Sequence, residues 1–153
     1  MTRVVIIGGG PAGYEAALVA ASLGAQATVI ERDGIGGASV LTDCVPSKTF
    51  IASAGAMTSV RQSKVLGLRG TDLADVGLDL AAVNQRIRGL AVAQSADIHA
   101  RLESEGVRVI AGSARLCSES RGLTVHRVQV LDGEGGVAAV SYTHLTLPTN
   151  REV

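Results

Sequence analysis

Cys44 is the residue with the most evident potential for chemistry, because it begins a Cys-Val-Pro-Ser-Lys segment and lies five residues after Ser39. Two cysteines at that spacing could form a reversible disulfide and carry two electrons through sulfur. The hydroxyl of Ser39 can neither form the bridge nor exchange with a substrate thiol. The segment therefore predicts a site with one thiol and no two-sulfur relay.

The start of the chain has the order strand, glycine turn, helix, strand. Residues 3–7 form a short apolar run rich in β-branched side chains, which leads into Gly-Gly-Gly-Pro-Ala-Gly at 8–13. Residues 14–23 have the alanine-rich composition of a helix, and residues 27–30 form a second candidate strand that ends in Glu31. In this context the glycine turn predicts a dinucleotide site.

Three glycines of the turn and the acidic residue after it each have a physical role in such a site. Gly8 permits a tight turn, Gly10 lets backbone N–H groups approach a pyrophosphate, and Gly13 allows the helix to pack close to the strand. Glu31 follows Gly13 by eighteen residues and is placed to accept hydrogen bonds from the hydroxyls of an adenosine ribose. The turn alone does not distinguish FAD from NAD.

The glycine turn and the Cys-x-Pro-Ser-Lys segment together resemble the flavoprotein disulfide reductases, the family of dihydrolipoamide dehydrogenase, glutathione reductase and mercuric reductase. The resemblance covers residues 1 to about 139, from Gly-Gly-Gly-Pro-Ala-Gly-Tyr-Glu to a later Val-x-Val-Ile-x-Gly strand end. It implies an α/β fold, the Rossmann-like FAD-binding domain of that family, with a parallel sheet, helices and a small antiparallel meander. It also implies a homodimer for the full-length protein.

The resemblance makes FAD the expected cofactor and NAD(P)H the electron donor, bound by a domain absent from this chain. In this interpretation the residues from Gly37 to Cys44 pass along the flavin, Lys48 lies close to its isoalloxazine ring, and Ala114 contacts the adenine through its backbone. The full set of cofactor-binding positions is Gly8, Gly10, Gly13, Glu31, Gly37, Ser39, Cys44, Lys48 and Ala114.

Departures from the family pattern indicate the reaction. Ser39 replaces the first cysteine, Asp43 replaces the glycine before the second, and Val-Leu-Thr at 40–42 replaces the usual Leu-Asn-Val. The segment is similar to the branch that has lost the disulfide and works as an NAD(P)H:quinone reductase, although such chains often keep the label dihydrolipoamide dehydrogenase. A reduced flavin can pass two electrons directly to a planar quinone, so this chemistry needs no sulfur.

Two other functions stay open. One is a dihydrolipoamide dehydrogenase-like enzyme that uses Cys44 as a single thiol toward a disulfide substrate. The other is a flavin-binding module without catalysis. Cys44 itself is either a catalytic neighbour that tunes the flavin or an inherited packing residue.

Composition excludes several classes of partner. The chain has 153 residues, 46% of them hydrophobic, and its fourteen basic and fourteen acidic residues cancel. No Lys/Arg cluster is present that could follow a nucleic-acid backbone. The apolar runs are too short for a membrane span, and the absence of a signal peptide predicts a cytoplasmic protein. His99 and His126 have no second ligand at metal spacing, so no metal site is predicted.

Periodicity predicts the remaining elements. A helix is expected over residues 47–60, with Phe50, Ile51, Ala54 and Met57 on its buried face, and strands are expected at 107–110, 123–131 and 137–140. Asp79 is expected to cap a long helix that runs to Glu105. Its predicted buried stripe is Leu80, Val83, Ile87, Leu90, Gln94, Ile98 and Leu102.

The end of the chain has a different character. Residues 140–149, Val-Ser-Tyr-Thr-His-Leu-Thr-Leu-Pro-Thr, contain no glycine, alanine or acidic residue, and their back-translation resembles read-through of a transposase sequencing adaptor. We therefore expect a partial, truncated FAD-binding domain over residues 1–139 and a non-native tail over residues 140–153. A sheet without its closing strand leaves backbone groups unpaired, so the polypeptide as written is expected to bind FAD weakly or not at all.

Overall fold

The computed structural model describes residues 1–67, 69, 76–117, 125–131 and 137–144. This part of the chain contains six strands and four helices. In chain order they are β1 Arg3–Ile7, α1 Pro11–Ser22, β2 Gln26–Glu31, α2 Gly37–Leu41, α3 Cys44–Arg61, α4 Leu80–Ser104, β3 Arg108–Ala111, β4 Ser113–Cys117, β5 Val125–Leu131 and β6 Val137–His144.

The first three strands form a parallel sheet in the order β1-β2-β3. Val4 lies opposite Ala27 in β2, and Val29 lies opposite Val109 in β3. Parallel neighbours need long crossover connections, which α1 provides between β1 and β2, and α4 with the shorter helices between β2 and β3. The predicted parallel sheet with helices is confirmed.

The last three strands form an antiparallel meander in the order β4-β5-β6, as predicted. Ala114 in β4 pairs with Val130 in β5, and β5 pairs with β6 over its whole length. The boundary expected at residue 139 falls inside β6, whose backbone pairing continues to His144. Residues 123–124, the segment 132–136 between the last two predicted strands, and residues 145–153 lie outside the described residues.

The parallel sheet separates two apolar cores because side chains alternate along β2. Ala27 and Val29 face the helices, whereas Ile30 faces the meander. The helix-side core consists of Ala17, Leu18, Ala27, Val29, Ile35, Leu102 and Val107. The meander-side core consists of Ile30, Val128 and Val130. The carboxyl end of β2 is therefore fixed from both faces, and Glu31 projects from that end.

The long helix α4 begins as predicted, since the Asp79 carboxylate accepts hydrogen bonds from the N–H groups of Ala81 and Ala82. Its predicted buried stripe is wrong in the middle. Leu90 is 43% exposed and Gln94 is exposed, while Ala91 is 3% exposed and Ser95 is half-buried. Leu80 is also exposed. The inward-facing residues are Val83, Ile87, Ala91, Ser95, Ile98 and Leu102.

The helix α3 begins three residues earlier than predicted, and its predicted buried face is mostly wrong. Phe50 is 45% exposed, Ile51 is 66% exposed and Ala54 is also exposed, although Met57 is half-buried. Thr49 is buried instead, because its hydroxyl donates a 2.8 Å hydrogen bond to the carbonyl of Val45. A hydroxyl bonded to its own helix can enter the interior without losing a partner.

None of the described helices combines the length and the apolar character that a membrane crossing requires.

Candidate functional site

The glycine turn after β1 is shaped by two backbone requirements. Gly8 has a φ of +100°, which side chains rarely tolerate, and its N–H donates a 2.8 Å hydrogen bond to the carbonyl of Ile30. A Cβ atom added to Gly13 would lie 1.9 Å from the carbonyl oxygen of Gly8, far inside contact distance. The close approach of α1 to the turn therefore requires glycine at position 13.

The N-terminus of α1 is open to an anion. Gly10 is the N-cap residue with an extended conformation, Pro11 follows it, and no side chain caps the helix. A Cβ atom added to Gly8 or Gly10 would meet nothing within 4 Å, so the space beside both backbones is clear. The first N–H groups of a helix are unsatisfied and carry a positive partial charge. This end of α1 fits a pyrophosphate.

Glu31 holds the turn through its carboxylate. Its Oε2 accepts a 2.6 Å hydrogen bond from the N–H of Gly9, and its Oε1 accepts a 2.7 Å hydrogen bond from the N–H of Asp33. Burial alone would raise the pKa of Glu31, but hydrogen bonds from the N–H groups of Asp33, Gly9, Gly34 and Arg32 outweigh it and lower the pKa below its ordinary value. The carboxylate is thus ionised and acts only as an acceptor.

A cleft of about 320 Å³ opens at the carboxyl ends of β1 and β2. It brings together Gly8, Glu31 and Ala114, three of the residues that the sequence predicted for the cofactor. The other lining residues are Ile7, Ile30, Arg32, Asp33, Gly112 and Ser113. Ligands of open parallel sheets bind at this end of the strands. The two shortest hydrogen bonds to Glu31, from Gly9 and Asp33, reach different carboxylate oxygens and fix the carboxylate at the edge of this cleft.

Two further glycines, Gly36 and Gly37, contact the glycine turn. The N–H of Gly36 donates a 2.8 Å hydrogen bond to the carbonyl of Gly9, and Gly36 has a φ of +98°. A Cβ atom on Gly37 would lie 3.0 Å from the Cα atom of Gly10. The predicted site residue Gly37 therefore packs backbone against backbone on the turn that should receive the pyrophosphate.

Ser39 and Cys44 lie in the corner between α2 and α3. Ser39 is half-buried within α2, while Cys44 is the first residue of α3 and carries an exposed, free thiol. The N–H groups of Thr42 and Asp43 both donate to the carbonyl of Ala38, at 3.0 and 2.8 Å, which shapes the corner. The short helix α2 was not predicted, since five residues that begin with glycine carry little periodic signal.

Lys48 lies one turn after Cys44 on α3 and is exposed. Neither residue lines the cleft that holds Gly8, Glu31 and Ala114. The structure thus places the predicted residues in two groups, one around the glycine turn and one at the start of α3. A dinucleotide as long as FAD is suited to two such groups, because its adenosine and its isoalloxazine ring lie at opposite ends of the pyrophosphate.

Gly9 was missed as a site residue. A Cβ atom there would lie 2.7 Å from Cδ1 of Ile35 and 3.0 Å from Cβ of Glu31. The middle glycine of the turn is therefore required by long-range packing, for which neighbouring residues give no signal.

The chain matches the family described as pyridine nucleotide-disulphide oxidoreductase over residues 2–143. It is 52% identical over 141 residues to a Mycobacterium tuberculosis protein named NAD(P)H dehydrogenase (quinone), a match that covers 90% of this chain and 28% of that protein. It is 30% identical over 149 residues to dihydrolipoyl dehydrogenase 2 of Haloarcula marismortui, covering 97% of this chain and 30% of that protein.

The crystal structure of LpdA from Mycobacterium tuberculosis has the same fold, with a TM-score of 0.85 and 48% sequence identity. The match covers 95% of this chain and 30% of that one. The chain therefore spans about a third of the length of these relatives. With the glycine turn, the acidic residue at the end of β2 and the parallel sheet all in place, the chain belongs to the pyridine nucleotide-disulphide oxidoreductase family.

Proposed function

We propose that this chain is the FAD-binding part of a two-dinucleotide flavoprotein that passes electrons from NAD(P)H through the flavin to a quinone. One contrast carries the proposal. The glycine turn and Glu31, which suit a dinucleotide, are present, whereas Ser39 occupies the position of the sulfur that a disulfide relay needs. The relative named NAD(P)H dehydrogenase (quinone) supports the choice of acceptor.

The adenosine half of the cofactor would lie over the glycine turn. The N–H groups at the start of α1 would bind the pyrophosphate, Gly8 and Gly10 leave the space beside their backbones clear for it, and Gly13 lets α1 pack against the turn. The Glu31 carboxylate would accept hydrogen bonds from the ribose hydroxyls. The backbone of Ala114, on the wall of the same cleft, would border the adenine.

The flavin half would run past Gly37 and Ser39 toward Cys44 and Lys48. When bound, FAD supplies the two-electron chemistry. The chain itself would position the ring and leave its face accessible to a planar acceptor. Lys48 would add a positive charge near the ring, and Cys44 would be a neighbouring thiol with no sulfur partner at position 39.

A dihydrolipoamide dehydrogenase-like activity is the second candidate. It is favoured by the relatives named dihydrolipoyl dehydrogenase and by the exposed thiol of Cys44, which a disulfide substrate could reach. Ser39 counts against it, because the mixed disulfide formed on Cys44 would have no second thiol to resolve it. A flavin-binding module without catalysis is the third candidate, and genomic sequence beyond residue 139 that lacks a second dinucleotide domain would favour it.

The remaining features of the proposal concern the parent protein. We propose that it is a cytoplasmic homodimer with its NAD(P)H domain outside this chain. Two free cysteines suit a reducing compartment. We also propose that residues 1–139 are native and residues 140–153 are not. The composition of residues 140–149 supports this boundary, and continuous genomic sequence through it provides the test.

The experiment uses the full-length protein with its own flavin. NAD(P)H oxidation is measured with menadione and with lipoamide as acceptors in the same preparation, after the flavin content is measured from its absorption. We expect one flavin per subunit and menadione turnover at least about tenfold above lipoamide turnover. Lipoamide turnover equal to or above menadione turnover would reject the quinone proposal in favour of the second candidate.

A further inference from the structure

Ser95 makes a hydrogen bond unlike those of the other helical serines. Its Oγ donates a 2.5 Å hydrogen bond to the carbonyl of Ile35, sixty residues away in sequence. Helical serines usually bond their own helix. In the described helices, the serines that donate to a carbonyl of their own helix three or four residues earlier include Ser22, Ser53, Ser59 and Ser104.

The carbonyl that Ser95 binds belongs to the same peptide group as the N–H of Gly36. That N–H donates to the carbonyl of Gly9 at 2.8 Å. One peptide plane is therefore held from both sides, by α4 through its oxygen and by the glycine turn through its nitrogen. Gly36 has a φ of +98°, and glycine can adopt many other backbone conformations, so the two hydrogen bonds on this peptide group select one of them.

The connection continues to the carboxylate at the end of β2. Gly9 accepts from Gly36 through its carbonyl and donates through its N–H to Oε2 of Glu31 at 2.6 Å. Ile35 is 4% exposed and packs on Gly9, which reinforces the same contact. Two successive hydrogen bonds thus link Ser95 on α4 to the turn over which the pyrophosphate would lie, and a third links that turn to Glu31.

We propose that Ser95 is a positioning residue for the dinucleotide site. It holds the peptide group between Ile35 and Gly36, so that the Gly8–Gly10 turn has its binding conformation before the cofactor binds. This inference rests on the proposed function for its consequence in FAD affinity. Ser95 does not line the cleft of Gly8, Glu31 and Ala114, so it would act through Ile35 and Gly36. A turn ordered in advance binds with a smaller entropic cost.

The test compares Ser95→Ala with Ser104→Ala in the full-length protein, because Ser104 is on the same helix and bonds only its own turn. Hydrogen exchange of the flavin-free protein is followed by mass spectrometry in peptides that contain Gly9 and Gly36. We expect Ser95→Ala to speed exchange in both peptides by about two- to tenfold, the worth of one hydrogen bond, and Ser104→Ala to leave it unchanged.

Titration with FAD gives the second readout. We expect Ser95→Ala to weaken FAD binding by about two- to tenfold and Ser95→Thr, which keeps the hydroxyl, to restore both exchange and affinity. Unchanged exchange at Gly9 and Gly36, or a uniform increase over the whole chain, would overturn the inference. Failure of the wild-type protein to bind FAD would instead reject the proposed function, and the exchange data would still decide the role of Ser95.

Discussion

The glycine turn differs in packing and exposure from the corner between α2 and α3, which contains Ser39 and Cys44. Around the turn, Gly8 bonds Ile30, and Gly9 bonds both Glu31 and Gly36, through hydrogen bonds of 2.6 to 2.8 Å. Glycine is also sterically required at position 13. At the corner, Cys44 is exposed with a free thiol.

This difference identifies which part of the family's machinery the chain retains. The elements that suit a dinucleotide pack against one another and are joined by hydrogen bonds, and Gly13 has no room for a larger side chain. The position of the first redox sulfur holds the hydroxyl of Ser39. In the proposed function the full-length protein would hold and orient a flavin through these elements, and the electron transfer would then depend on the flavin itself.

The largest effect is expected from Gly13→Ala in the full-length protein. The added Cβ would lie 1.9 Å from the backbone oxygen of Gly8, and neither group can rotate away. Overpacking against backbone costs about 3 kcal/mol. Because the strain is relieved by moving the turn away from α1, which would misplace the N–H groups for the pyrophosphate, we expect FAD affinity to fall by about a hundredfold. Fluorescence titration with FAD measures it.

Gly89→Ala is the matched control for that prediction. Gly89 lies within α4, and a Cβ atom there would meet nothing within 4 Å. Because alanine favours the helix over glycine, we expect unchanged FAD affinity and equal or higher stability. FAD binding by Gly13→Ala at the level of Gly89→Ala would show that the turn is not the dinucleotide site.

Glu31→Gln is expected to have the next largest effect. Glutamine keeps one acceptor oxygen but turns an NH₂ group toward a backbone donor, either Gly9 or Asp33. Loss of a hydrogen bond to a charged group is worth about 1.5–3 kcal/mol, so FAD affinity should fall by about ten- to hundredfold. Glu15→Gln, an exposed change on α1, should leave the affinity unaltered. Equal affinities of the two variants would contradict the role given to Glu31.

A smaller effect is expected in the pH dependence of stability. The pKa of Glu31 is lowered in the folded chain, so its contribution is present above the ordinary value of 4.5 and is lost as pH falls through the folded value. The flavin-free wild type should therefore exceed Glu31→Gln in denaturation midpoint at about pH 6, and the gap should shrink below pH 4.5. A gap that widens on acidification would mean that the carboxylate is not stabilised by folding.

The smallest effect is expected from Cys44→Ser. If electrons leave the flavin directly, removal of this thiol should change menadione turnover by less than about threefold. Cys117→Ser, which removes the half-buried cysteine of β4, serves as the control for the loss of a sulfur elsewhere. A loss of about a hundredfold confined to Cys44→Ser would assign the thiol a catalytic role.

Local patterns predicted the parts of the fold and site that depend on neighbouring residues. The strand, glycine turn and helix at the start of the chain were predicted because each step has its own short-range signal. Asp79 was recognised as a cap for the same reason. The contact of Gly9 with Ile35 and the bond from Ser95 to Ile35 join residues far apart in sequence, and no local pattern indicates them.

The errors in α3 and α4 have one cause. Periodicity assigned Leu90, Gln94 and Phe50 to inward faces by their hydrophobicity or spacing, but Ala91, Ser95 and Thr49 are more buried. The two hydroxyls can turn inward because each donates to a carbonyl, Ser95 to the loop and Thr49 to its own helix. A prediction based on hydrophobic periodicity does not identify polar residues that are buried with a hydrogen-bond partner in this way.

The most direct test of the account follows a single turnover of the full-length enzyme without oxygen. The protein is reduced with one equivalent of NADH or NADPH and then mixed rapidly with menadione or with lipoamide, while the flavin absorption is recorded. The account predicts that menadione restores the oxidised flavin spectrum at a rate that supports turnover and that lipoamide leaves the flavin reduced. Rapid recovery of the oxidised spectrum with lipoamide would contradict direct transfer from flavin to quinone.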